Sequence, residues 1–370
     1  MKKNRSTRKK RFLQIPLGFA VFLGLALLAA SPVPEETVLE KGWIRSFESL
    51  YMESGVGGDN SELFPFEIVH RDTIRFGYFN REGVFSMNRV TQKNLSLSES
   101  RFAEYEAVPR RLEVKNAADE TISRFENTNG YPLFLNGLNE KTYLVRFEQS
   151  AVSEISEGGD VLWTYTFASP VTCVAGAQGR LLVGTLDGTV ELLDEKGTRV
   201  FFFETGGSRI TCVYGAAVSR DLSRIAVISG LDDQRFLLFE QSAGSYRVTY
   251  HEFIGDGKRR PVRIQFIDND TRLVFERDEG LGLFEIKSRT SHRIPLDDEI
   301  AAIDGEGGDG LLFLVTRGQE GRNYLIGVKY PASVIMKTPF QSEAVFLRRA
   351  GNDLFVGSDR NLALFSIAGK

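Results

Sequence analysis

The sequence predicts an all-β fold, a single propeller of four-stranded blades, on two observations. The first is composition: 28 Phe and 36 Gly stand against only 4 Met in 370 residues. That balance suits short pleated strands joined by tight turns, because aromatic side chains pack well on a sheet and glycine accepts positive φ. The second is an internal repeat. At an offset of 39 residues "YPLFLNG" (131–137) falls on "PVTCVAG" (170–176) and then on "RITCVYG" (209–215), so Phe134, Cys173 and Cys212 share one position in three successive units. Four strands in roughly 40 residues is the period of a propeller blade.

The clearest unit shows why each element forms. "TCVAGA", "RLLVGT", "TVELLD" and "RVFFFE" are strand-like runs separated by "QG", "LDG" and "EKG", where glycine permits the hairpin geometry. Runs this short between glycines cannot sustain the packed face of a helix. Third-strand words recur as "GVFSMNRV" (83), "AVSEIS" (151), "TVELLD" (189), "RFLLFE" (235), "LGLFEI" (281), "YLIGVK" (324) and "LALFSI" (362), which counts seven blades. The longest interval, from 83 to 151, contains "SRFAEYEAVPRRLEVKN" (100–116). Residues 91–119 are therefore either an insertion or a cramped further blade, and eight blades is the alternative. The last third strand lacks a fourth after it. The apolar "VLEKGWIRSF" (38–47) belongs to no other unit and is expected to pair there, closing the ring and removing an exposed sheet edge.

The N-terminus is a separate object. Residues 1–11 carry seven basic side chains and no acid, and 12–30 form an apolar run broken only by Gln14. Nineteen residues suffice to cross the hydrocarbon core as a helix, and the flanking positive charge holds the N-terminus in the cytoplasm. The expected layout is a basic cytoplasmic segment (1–11), a transmembrane signal anchor (12–30), a linker (31–40) and the propeller (41–370), outside the cytoplasm. A cleaved signal peptide is the competing reading. Proline at 32 and the length of the run count against it. Setting aside the seven anchor charges leaves a net charge of about −10, which disfavours nucleic acid as a partner.

At "GGDVLWTYTF" (158–167) and "GTLDGTVELLDEKG" (184–197) the chain resembles the quinoprotein-like, PQQ-repeat and WD-repeat-like propellers. In those blades a tryptophan strand precedes a small-residue strand, an aspartate-glycine turn and a further glycine turn. The resemblance spans 131–254 closely and the rest loosely. Its enzymatic members hold their quinone with a vicinal cysteine disulfide and a calcium ion. This chain has no adjacent cysteines and no calcium-loop spacing, so the resemblance implies a non-enzymatic member.

No constellation in the sequence supplies chemistry. Cys173 and Cys212 are expected on the innermost strands of neighbouring blades as small buried hydrophobes, since a disulfide needs Cα atoms within about 4.4 to 6.8 Å. His70, His251 and His292 are scattered, without zinc spacing. The glycine-rich stretches 55–60 and 305–310 lack the ending of a phosphate loop. No metal, cofactor or catalytic residue is expected, and the chain is read as no enzyme.

The remaining candidate is a face. Second-to-third-strand turns and blade-to-blade links emerge on one side of a four-stranded blade, and they carry Arg209, Arg235, Lys258, Arg259, Arg260, Arg322 and Arg360 among acids. The expected function is an interaction scaffold binding a protein or cell-envelope component through this face. An outer-membrane assembly accessory similar to PQQ-repeat propellers and a small-ligand sensor are the alternatives.

Overall fold

The computed structural model describes residues 37–48, 62–126, 128–135, 141–255 and 258–369. The expected cytoplasmic segment, the span 12–30 and the 55–60 stretch lie outside these residues. Glu40–Ser366 form one compact unit, and the chain flanking them falls in a second.

The sheets number eight among the described residues. In chain order the blades are residues 63–91 (blade 1), 94–126 (2), 130–166 (3), 171–204 (4), 213–255 (5), 264–294 (6), 299–341 (7), and 346–369 with Thr37–Ser46 (8). The count of seven is thereby corrected to eight. Residues 100–116 fall within blade 2, whose strands Asn94–Leu97, Arg101–Tyr105, Arg111–Asn116 and Thr121–Glu126 form an ordinary meander rather than an insertion. Polar residues interrupt its strands so often that its apolar period is faint.

Apolar clusters lie between neighbouring blades. Phe236 of blade 5 stacks on Phe275 of blade 6 at 4.7 Å, and Phe284 closes on the same ring edge-on at 5.3 Å. Blades 6 and 7 share a cluster of aliphatic residues that includes Val274, Leu283, Leu314 and Ile326. Blades 4 to 7 bury both faces this way, which is why middle strands such as Arg180–Thr185, Arg224–Ser229 and Leu311–Arg317 read as nearly unbroken apolar runs.

Closure follows the expectation. Thr37–Ser46 lies beside Asn361–Gly369 as the outermost strand of blade 8. The Phe47 amide then donates to the Arg360 carbonyl at 2.9 Å. The Phe47 ring is buried against Phe66 and Phe85 of blade 1, both at 5.4 Å.

The chain's two tryptophans make the same contact in different places. Trp163, on the outer strand of blade 3, covers Gly197 in the third-to-fourth turn of blade 4, and its Nε1 donates to the Glu195 carbonyl at 3.2 Å. Trp43, on the closing strand, covers Gly83, and its Nε1 donates to the Arg81 carbonyl at 3.2 Å. Both glycines have positive φ, +74° and +77°, and a Cβ on either would lie 2.5 to 2.6 Å from the indole. The tryptophan and glycine turn that carry the family resemblance are thus one interblade joint, and closure uses a second copy.

That joint settles the strand places in blade 1. If the Gly83 turn is third-to-fourth, then Leu63–His70, Thr73–Asn80 and Phe85–Thr91 hold the second, third and fourth places of their three-stranded sheet. Antiparallel alternation then sends the His70–Thr73 turn to the face of the second-to-third turns. It is found there, because His70 pairs with Glu343 in the link between blades 7 and 8. "GVFSMNRV" is therefore a fourth-strand word, not a third.

The cysteine word is a second correction. Val171 pairs with Thr185 and Val213 with Ser229, and each is followed by a register shift, so Val171 and Val213 are the equivalent residues, 42 apart. Cys173 follows the bulge and pairs with Gly184, whereas Cys212 precedes its strand. Phe134 sits at the far end of its strand, paired with Thr142. The repeat is real at the scale of the blade, but the shared word straddles a bulge differently in each copy. Both thiols are free. Burial pushes the Cys173 thiol up to about 12 and also raises that of Cys212.

Trp43→Ala should cost about 3 kcal/mol, the usual range for losing a packed aromatic. Gly83→Ala should also destabilise, through strained φ and indole overlap; urea midpoints measure both. At pH 8 a thiol of pKa near 12 is ionised to about one part in ten thousand. Neither cysteine should react with an aromatic disulfide reagent in the folded chain, and two thiols should titrate in guanidinium.

Candidate interaction face

The face carrying the second-to-third turns and the blade links, called here the linker face, holds a series of polar hollows over blades 6, 7, 8 and 1. Lys258, Arg259 and Arg260 line the first with Asp278, Asp297, Asp298 and Glu299. Asp298 continues into the second, lined by Gln319, Glu320, Arg322, Tyr324 and Gln341. Glu320 and Gln341 pass into the third, with Ser342, Glu343, Asp359 and Arg360. Glu343, Asp359 and Arg360 in turn border the fourth, with Glu48, His70, Thr73 and Arg75. Shared lining residues make the four hollows one trough.

Five of the seven cations expected from sequence meet there: Lys258, Arg259, Arg260, Arg322 and Arg360. The structure leaves the other two outside it. Arg209 is exposed and pairs with Asp232 at 3.3 Å. Arg235 lies over the Phe253 ring at 5.7 Å. These two belong with Leu186, Ile210 and Phe253, exposed apolar residues of blades 4 and 5 and the link between them.

Two frameworks hold the trough. In blade 6 the fully buried Glu276 accepts from Arg260 Nη1 at 2.9 Å and from Arg263 Nη1 at 2.8 Å. Arg263 also donates to the Ile300 and Ala301 carbonyls of blade 7, at 2.9 and 3.0 Å. One buried carboxylate thus orients a cation that stitches two blades. At the other end His70 Nε2 lies 2.7 Å from Glu343 Oε2, and Arg71 lies 3.1 Å from it. Asp359 accepts from the Glu343 and Ala344 amides at 2.9 and 2.7 Å, fixing the link between blades 7 and 8.

Among the described residues Lys258, Arg259, Arg322 and Arg360 make no ion pair, and neither do Asp278, Asp297, Asp298 and Glu320. Charges of both signs therefore stand open along the trough. No three His, Cys, Asp or Glu side chains converge as a metal site among the described residues.

Glu276, Arg263 and His70 escaped sequence reasoning. Glu276 ends an apolar run just before a charged turn and reads as solvated. His70 reads as an ordinary surface histidine, because its place on this face depends on the shifted strand places of blade 1.

A family model described as "beta-propeller protein" matches residues 3–370. An uncharacterised protein of Treponema pallidum (strain Nichols) is 24% identical over 295 residues, 80% of this chain and 77% of that one. Among solved structures, BamB from Moraxella catarrhalis superposes with a TM-score of 0.58 at 11% identity, covering 89% of this chain and 100% of that one. A chain of the Mitotic Checkpoint Complex matches with a TM-score of 0.53 at 13% identity, covering 74% and 86%. The computationally designed Ika8 protein gives 0.58 at 13% identity, covering 84% and 98%. At these identities the structures establish the likeness of fold alone.

Glu276→Gln keeps the volume of the buried side chain and removes its charge. Its half-exposed arginine partners can turn to water, so the loss should be about 2 kcal/mol rather than the larger penalty of a fully buried broken pair. The urea midpoint reads this.

Proposed function

The chain belongs to the β-propeller protein family, and from that premise we propose that it is a membrane-anchored, extracytoplasmic interaction scaffold rather than an enzyme. It docks a protein or cell-envelope component along the trough of the linker face. The observation that carries this reading is the row of unpaired charges over blades 6 to 8, with Lys258, Arg259, Arg322 and Arg360 interleaved with Asp278, Asp297, Asp298 and Glu320. In the same trough Glu343 is taken up by His70 and Arg71, whereas these eight charges stand open. Open charges of both signs in a concave strip suit a partner with a complementary pattern, which sets orientation and association rate more than affinity. A chain of the same fold that sits in the Mitotic Checkpoint Complex is in keeping with a propeller used as a docking surface.

The anchor is part of the same proposal. It is supported by the 19-residue apolar run at 12–30 and its basic flank.

A photocrosslinking side chain at Arg322, compared in intact cells with one at Lys196 on the opposite face, tests the docking site. A discrete adduct at 322 and none at 196 is expected. Equal labelling at both positions would refute the trough as the site. With the captured partner purified, Lys258→Glu combined with Arg259→Glu should slow association about tenfold at low salt.

A further inference from the structure

The opposite face, which carries the first-to-second and third-to-fourth turns, has its own pattern. Val84, Ile122, Val161, Leu162, Val200 and Val334 are between 38% and 61% exposed. Each lies in a third-to-fourth turn or within the first two residues of a fourth strand. They form one set, belonging to blades 1, 2, 3, 4 and 7, at the outer rim of this face. Their arc flanks blade 8 on both sides. Outer strands of a sheet are where charged residues guard against association; here the fourth strands of five blades begin on or beside half-exposed aliphatic residues.

Where the chain joins the ring bears on what covers this rim. The closing strand runs from this face to the linker face, since Trp43 bonds to the Arg81 carbonyl in a third-to-fourth turn and Phe47 to Arg360 on the linker face. Its Glu40 end therefore belongs to the rim side of blade 8. The nine residues from Ser31 to Leu39 follow the apolar run directly and reach at most about 32 Å when fully extended. A bilayer holding residues 12–30 would thus lie within reach of this rim.

We propose that the aliphatic rim rests on that bilayer, with Val84, Ile122, Val161, Leu162, Val200 and Val334 dipping into the headgroup boundary. The inference rests on the anchored reading above. The occupant is the lipid surface itself, recognised by apolar burial and not by charge, because the chain beyond residue 30 is net acidic at about −10. A few half-buried aliphatics bind weakly alone, but the tether holds them at high effective concentration. The consequence is orientation: the trough points away from the membrane, toward soluble partners or a facing membrane.

The test uses the full chain in nanodiscs of zwitterionic phosphatidylcholine, with a nitroxide attached under native conditions at Leu162→Cys or at Leu186→Cys on the linker face. The unsubstituted chain, labelled in parallel, reports any reaction of Cys173 and Cys212. Collision with oxygen, which concentrates in lipid, is compared with collision with a water-soluble nickel chelate. The proposal expects a ratio several-fold higher at 162 than at 186, unchanged by added salt and lost when Val161→Asp and Val200→Asp are introduced. A chain that incorporates but shows water-like ratios at both sites overturns the rim and leaves the anchor and the trough standing. Shielding of 162 from both reagents together with spin coupling between chains identifies a second copy as the occupant, and also overturns it. Failure of the chain to incorporate overturns the rim and the anchor together.

Discussion

A propeller is a ring, and everything in this one depends on how the ring is shut. The joint is Trp43 seated on Gly83, with the indole donating to the Arg81 carbonyl and Phe47 tied to Arg360 a few residues on. It fastens the N-terminal strand at once to the final blade and to the first, so residues from both ends of the chain stabilise one contact. An unpaired outer position in blade 8 would expose a sheet edge, and the aromatic cluster of Phe64, Phe66, Phe79 and Phe355 between blades 8 and 1 would lose Phe47. The same contact recurs between blades 3 and 4, where Trp163 covers Gly197. Closure is the ordinary interblade joint, supplied by a segment from the other end of the sequence.

Closure also decides what the two faces carry. Because the Gly83 turn is a third-to-fourth turn, blade 1 presents His70 and Arg71 to the linker face, where they grip Glu343. Without that shift the end of the trough over blades 8 and 1 would lack its clamp. At the other end Glu276 and Arg263 fix blades 6 and 7 in relation to one another. The open charges lie between these two clamps, which tie down the chain at both ends of the trough. A docking surface of this kind loses less conformational freedom on binding than one built from free loops.

Several features were legible in sequence because they are local. Third-strand words from 151 onward sit in third strands, turn glycines such as Gly188 and Gly197 have positive φ, and the segment 38–47 closes the ring. The errors share a cause in register. The cysteine word is written twice, yet a bulge of one residue puts Cys173 inside its strand and leaves Cys212 before its own. A strand has a period of two, so such shifts change which neighbour and which face a residue meets while leaving the word unchanged. Blade 2 reads faintly because its buried Phe102, Leu112, Val114 and Phe125 are separated by polar residues, which leaves a weak apolar period.

By itself the sequence determined what each blade is made of, where its turns fall and which segment was spare for closure, since propensity, glycine conformation and alternation act over a few residues. Only the tertiary structure decided which distant residues would share a surface. His70 meets Glu343 across 273 residues, and Arg260 meets Glu299 across a blade boundary. A ring brings such pairs together by the radial stacking of blades and the alternation of strand direction. Both are set by pairing between strands and by contact across blade faces, and no short stretch of chain encodes either.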